Sequence, residues 1–194
     1  FDVRITFEGP DSEAMVDRQI DMLSAALANK PSAIGFAALD SQAAIPLLRK
    51  ASQAGIPIIA FDSCVASDIP LTTATTDNVA AAALAPDEMA KLIGNKGKVA
   101  IVAHDQTSQT GIDRRDGFMK RMESAHPGIS IVSVQYGQGD QLKSTEIAKA
   151  ILTANPDLDG MFGTNEGSAI GLVNAVREMN NSSVVIIGYD SGKA

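Results

Sequence analysis

Residues 98–118 read KVAIVAHDQTSQTGIDRRDGF, and three kinds of sequence follow one another within them. Val99, Ala100, Ile101, Val102 and Ala103 form an unbroken apolar run, short enough for a strand. Such a run suits a strand buried on both faces, as parallel strands covered by helices are. A polar loop follows from His104 to Thr110, and helical spacing takes over from Ile112 and carries Arg114. Strand, polar loop, helix is one βα unit, with the loop at the carboxyl end of the strand.

The same alternation extends in both directions. Strands are expected at 3–7, 33–38, 57–61, 129–135, 160–163 and 184–188, with a short extra one near 71–75. Residues 56–61 and 184–187 are also continuously apolar. Helices are expected at 12–28, 43–54, 79–93, 112–123, 142–154 and 167–179. Val16, Ile20, Leu23 and Leu27 share one helical face. Pro46 requires its helix to start just before it or to kink there. Strands alternating with amphipathic helices make βαβ units with right-handed crossovers. The fold class is therefore α/β, with two doubly wound parallel-sheet lobes. The short polar, Gly-rich segment 94–98 divides the chain nearly in half, so the lobes are expected at 1–94 and 95–194.

Composition narrows the function classes. With a formal net charge of −7 and no basic stripe, the chain lacks the usual footprint of a nucleic-acid binder. No apolar stretch approaches the roughly 20 residues of a membrane-spanning helix. One cysteine, Cys64, permits no intrachain disulfide, and with only 2 histidines no metal cluster is expected. No cofactor-cradling Gly loop and no nucleophile–base pair stands out, so no catalytic residue is expected. The scattered methionines read as core filler.

Ligands of open α/β sheets bind beyond the carboxyl ends of the strands. The polar residues expected there are Asp62 and Ser63; the 75–78 segment with Asp77; His104 to Thr110, leading to Arg114; Thr164, Asn165 and Glu166; and Tyr189, Asp190 and Ser191. Carboxylates accept, a guanidinium donates from a rigid fork, and an amide does both, which is the set a polyhydroxylated ligand needs. Each residue also has a purely structural reading. Asp77 and Asn165 stand where helix N-caps stand. Asp62 and Asp190 can pin loops at the ends of buried strands. Arg114 can pair with Asp113 or Asp116, and His104 can be a loop residue without a task.

Taken in order, five stretches resemble the ribose/galactose-type periplasmic sugar-binding proteins of ABC importers, of the periplasmic binding protein type I fold. They are Ala54-Gly55-Ile56-Pro57 running into Phe61-Asp62-Ser63; Thr76-Asp77-Asn78; Arg114 three residues before Gly117-Phe118; the segment from Asn155-Pro156-Asp157 through Phe162 to Asn165; and Ile187-Gly188-Tyr189-Asp190. The resemblance implies a non-enzymatic, cofactor-free substrate-binding component whose two lobes close over one sugar. It implies that Asp62 is a first-lobe sugar contact and that Arg114, Asn165 and Asp190 are second-lobe contacts, with Ser63 beside the first and Asp77 near the hinge. It also implies a membrane permease as partner, no nucleic acid, a monomer when full length, and a periplasmic or lipid-anchored extracellular location.

Against ribose binders the chain departs at Ser63, where they carry Arg, and at Gly139, where a stacking aromatic is expected, with Tyr136 only nearby. The ligand expected is thus a sugar or sugar-like molecule other than ribose. By the same resemblance the chain is a fragment without the first βα unit and the C-terminal part. If 3–7 is then the second strand of its lobe and 33–38 the third, the two should run parallel about 9–10 Å apart without pairing. The alternative from a different class is the effector-binding domain of a lactose-repressor-type transcription regulator, which shares the fold; the Gly-Asn-Lys-Gly-Lys-Val run at 94–99 is closer to the transport proteins.

Overall fold

The computed structural model of the chain describes residues 2–191. The chain divides into a first unit ending at Ala74 and a second beginning at Thr75. The first holds α1 (Val16–Ala28), β1 (Ile34–Phe36), α2 (Ile45–Gln53), β2 (Ile58–Phe61) and β3 (Thr72–Ala74). The second holds α3 (Asn78–Ala82), α4 (Leu84–Leu92), β4 (Gly97–Ala103), α5 (Gln109–Ala125), β5 (Ile129–Tyr136), α6 (Gln141–Ala154), β6 (Gly160–Gly163), α7 (Glu166–Glu178) and β7 (Val185–Gly188).

The first unit carries a parallel sheet in the order β1-β2-β3, with Ile34 opposite Ile58 and Ile59 opposite Thr72. Leu23 of α1 and Leu48 and Ala51 of α2 bury the face formed by Ile34, Phe36 and Ile58. Pro46 stands in the first turn of α2, where its missing N–H has no helical partner to lose. The segment expected as a strand at 3–7 forms none, and Val3, Ile5 and Phe7 are exposed. No ladder joins it to β1 among the described residues, so three alternating apolar side chains were not enough to make a strand. A strand needs a neighbour to take its backbone hydrogen bonds.

The second unit has the order β5-β4-β6-β7, all parallel, so its first strand lies centrally between the second and third. Successive residues of β4 face opposite sides. Val99, Ile101 and Ala103 pack with Met89 and Ala90 of α4, Phe118 and Met122 of α5 and Phe162 of β6. Ala100 and Val102 pack with Ala148, Ile151 and Leu152 of α6 and Leu172 and Ala175 of α7. The Phe118 and Phe162 rings stack at 4.5 Å between centroids.

Three expectations are corrected here. The boundary does not fall at 94–98. Ala82, Met89 and Ala90 belong to the core built around β4, so the helices between Asn78 and Leu92 are held by the second unit. The helix expected at 79–93 is two helices meeting at Ala83, because Pro86 cannot donate to the Ala82 carbonyl and its ring crowds that oxygen. Met89 and Met122 are core residues as expected, but Met15 and Met179 are exposed.

Candidate functional site

Four caps place the polar strand ends of the second unit. Asp77 Oδ1 accepts from Ala80 N–H at 3.0 Å and starts α3; Ser108 Oγ accepts from Gly111 N–H at 3.0 Å and starts α5. Asp140 Oδ1 accepts from Lys143 N–H at 2.7 Å for α6, and Asn165 Oδ1 from Ser168 N–H at 2.9 Å for α7. The capping readings of Asp77 and Asn165 are therefore satisfied in the structure. They differ in setting, since Asn165 is buried and Asp77 is exposed.

Arg114 is the centre of the cluster and is 7% exposed. It pairs with neither Asp113 nor Asp116: Gln109 Nε2 donates to Asp113, and Arg115 takes Asp116. Instead its Nε donates to Asn78 Oδ1 at 2.9 Å, and its Nη1 donates to the Thr164 carbonyl and to Asp190 Oδ2, both at 2.9 Å. Its guanidinium carbon lies 4.0 Å from the centre of the Tyr189 ring. A buried charge is tolerated when it is paired and hydrogen-bonded, and this one has a carboxylate, two neutral acceptors and an aromatic face. Nη2 donates to no acceptor among the described residues. The fork is thus fixed on one side and offers two donors on the other.

Asn78 is oriented by the same network. Its Nδ2 donates to the Thr76 carbonyl at 3.0 Å, while its Oδ1 also receives the Tyr189 hydroxyl at 3.3 Å. Burial pushes the Tyr189 phenol up from its ordinary value, which keeps it a donor. Close packing of α3 on α5 brings Asn78 to Arg114. A Cβ on Gly117 would strike the Val79 carbonyl, so only glycine lets the two helices approach this closely.

Asp62 and Asp190 share an unusual backbone. Asp62 directly follows β2 with φ +56°, and Asp190 lies two residues beyond β7 with φ +65°. Left-handed conformations cost a non-glycine residue about 1–2 kcal/mol, and such strain concentrates at functional sites. Asp62 belongs to the first unit and is exposed. Ser63 beside it is buried, and its Oγ has no hydrogen-bond partner among the described residues.

Of the expected site residues, the structure brings Arg114 and Asp190 together and sets Asn165 next to Thr164, whose carbonyl takes Arg114. Asp62 and Ser63 stand in the other unit. The sequence reading passed over Asn78 and Tyr189 as partners of Arg114. Both stand within the quoted motifs, but nothing local reveals that they converge on Arg114. It also treated His104 as an idle loop residue, whereas His104 is 4% exposed and hydrogen-bonded. At the expected aromatic position, Gly139 has φ +68° and its carbonyl lies against Gly167, where a Cβ would not fit. The Tyr136 hydroxyl accepts from Arg115 at 3.0 Å. Among the described residues no group of three metal-ligating side chains converges, and no helix is long and apolar enough to cross a membrane.

Comparison with known proteins gives consistent neighbours. The D-ribose/D-allose-binding protein of Pseudomonas aeruginosa is 30% identical over 193 residues, covering 96% of this chain and 60% of that protein. A solute-binding protein from Agrobacterium vitis with bound D-fucose superposes with a TM-score of 0.94 at 32% identity, over 98% of this chain and 67% of that one. A carbohydrate transporter solute-binding protein from Agrobacterium radiobacter in complex with D-arabinose gives 0.91 at 30% identity, over 95% and 64%. The chain thus spans about 60% of the length of the curated relative just named. The periplasmic binding protein domain family model matches residues 2–194, and with the parallel α/β fold and these neighbours the chain belongs to that family.

Proposed function

We propose that this chain is the ligand-binding part of a substrate-binding component of an ABC importer, and that it binds a neutral monosaccharide or close analogue without transforming it. The observation that carries this reading is Arg114, a buried guanidinium held by Asn78, the Thr164 carbonyl and Asp190, with Nη2 uncommitted among the described residues. A sugar presents adjacent hydroxyls that accept from such a fork and donate to carboxylates. The relatives support the same ligand class, being described with D-ribose/D-allose, D-fucose and D-arabinose.

In this reading Arg114, Asn165 and Asp190 contact the ligand from the second unit, and Asp62 with Ser63 from the first. Asp77 serves as a cap. A permease of an ABC importer is the membrane partner, nucleic acid is not a partner, and the complete protein works as a monomer outside the cytoplasmic membrane, in the periplasm or on a lipid anchor.

Calorimetric titration of the protein with a panel of pentoses, hexoses and polyols tests this. One sugar should bind at about micromolar Kd, or about −8 kcal/mol. Arg114→Ala, Asn165→Ala and Asp190→Ala should each weaken it by about 1–3 kcal/mol, the cost of leaving a buried polar partner unpaired. No binding across the panel together with tight binding of a peptide or nucleotide overturns the proposal.

A further inference from the structure

His104 sits where β4 ends, surrounded by hydroxyl groups. Its main-chain N–H donates to Thr164 Oγ1 at 2.9 Å, and its ring Nδ1 lies 2.8 Å from that same oxygen. Nε2 faces Thr110 Oγ1 at 3.4 Å, Ser108 Oγ at 3.5 Å and Asp105 Oδ2 at 3.7 Å. A threonine hydroxyl has one proton to give. Thr164 is fully buried, and among the described residues Nδ1 is the one acceptor within reach of its hydroxyl, so its proton goes to Nδ1 and the ring proton stays on Nε2.

The remaining groups fit that direction. Ser108 Oγ donates to Asp105 Oδ2 at 2.7 Å and accepts from Gly111 N–H at 3.0 Å, so it has one acceptor position left, which Nε2–H and the Thr110 hydroxyl at 3.3 Å both face. Asp105 Oδ1 accepts from the N–H groups of Thr107 and Ser108 at 2.8 and 2.7 Å, which folds the loop. The bonds therefore run from Thr164 through the imidazole to the Thr110 and Ser108 hydroxyls at the start of α5, and from Ser108 on to Asp105.

Both ends of this chain bear on Arg114. At one end Ser108 sets where α5 begins, and Arg114 lies in the second turn of that helix. At the other, Thr164 presents the carbonyl that receives Arg114 Nη1. We propose that His104, neutral and protonated on Nε2, is a positioning residue for Arg114: it ties the start of α5 to the end of β6 and so aims the guanidinium. The proposal rests on the reading of Arg114 as a ligand contact.

Two measurements on the full chain test it. In the ligand-free protein, nitrogen NMR should show the His104 ring protonated on Nε2 alone. His104→Leu should speed hydrogen exchange of the Arg114 Nε–H by about ten-fold, as expected for loss of a coupled contact. For the sugar that the wild type binds, His104→Leu should weaken affinity about ten-fold, yet add less than about two-fold in an Arg114→Ala background. Should His104→Leu fail to fold, Thr164→Val breaks the same contact from its hydroxyl side at nearly constant volume and should show the same pattern.

A ring protonated on Nδ1 overturns the proposal. So does a folded variant with unchanged Arg114 exchange and affinity, or a loss that adds fully to that of Arg114→Ala. If the wild type binds no sugar, the sugar reading fails by itself, while the tautomer and the Arg114 exchange still decide the role of His104.

Discussion

Two unbroken apolar runs end up in different surroundings. In the second unit, Val99 to Ala103 are all fully buried, because α4 and α5 cover one face of the sheet and α6 and α7 the other. In the first unit, Ile58 and Ala60 are buried against α1 and α2, but Ile59 is 36% and Phe61 40% exposed. The runs 56–61 and 99–103 carry the same local signal for a strand covered on both sides, and only the second strand is covered so. Hydrophobicity sets which residues gain from burial; the number of helices that arrive decides which residues achieve it.

The largest test of this contrast compares phenylalanines. Phe162→Ala removes a ring stacked on Phe118 in a closed core and should cost about 3–5 kcal/mol in urea unfolding. Phe61→Ala removes a partly exposed ring and should cost about 1 kcal/mol or less. Equal costs would mean that the first sheet is as well covered as the second.

Glycine substitutions sharpen the contrast at a smaller scale. Gly117→Ala should cost about 1–3 kcal/mol by forcing α3 off α5, and should also disturb the Asn78–Arg114 bond. Gly55→Ala meets no atom within 4 Å, so only its φ of +76° opposes the change, at about 1 kcal/mol. Denaturation midpoints with an amide probe on Asn78 distinguish packing strain from backbone strain.

The two strand-end aspartates should diverge under the same substitution. Asp62→Gly relieves the left-handed backbone and gives up the interactions of the side chain, so unfolding stability should change by less than about 1 kcal/mol. Asp190→Gly gains the same relief but deprives Arg114 of its carboxylate, so its net effect should be less favourable than that of Asp62→Gly. Matched thermal melts of the two variants decide the point.

The smallest effect is a pH dependence. Hydrogen bonding from Arg121, with His126 also 2.8 Å away, lowers the Asp87 pKa from 3.8 to about 2. A carboxylate lowered on folding stabilises the native state above its unfolded value and loses that contribution as pH falls toward the folded one. The contribution of Asp87, which joins α4 to α5, should therefore fade between about pH 4 and 2. Asp87→Asn should flatten the fall in melting temperature over that window, by a small amount because the pair is exposed to solvent.

The alternation of strands and helices, the parallel sheet, a constraint on α2 at Pro46 and the polar residues at strand ends were all legible in the sequence. Each follows from side-chain periodicity or from a local stereochemical rule. The 3–7 segment shows the limit, since alternating apolar residues signal a strand only if another strand is there to pair with it. Pro86 was a readable break that the apolar pattern around it concealed. The boundary at Thr75 was not readable, because a helix joins whichever core its apolar face meets, and Met89 meets the core of β4.

At the candidate site the division follows the same principle. Sequence by itself determined that Asp62, Asn165 and Asp190 are polar residues near strand ends, that the polar loop after one strand leads to Arg114, and that Asp77 and Asn165 suit helix caps, because these depend on neighbours along the chain. Only the tertiary structure decided that Arg114 passes over Asp113 and Asp116 for Asn78, Thr164 and Asp190, 36, 50 and 76 residues away. Only it turned His104 from a loop residue into the link between two strand ends. Partners so distant in sequence leave no local pattern, and burial of a charge selects whichever acceptors the packed helices and strands bring within reach.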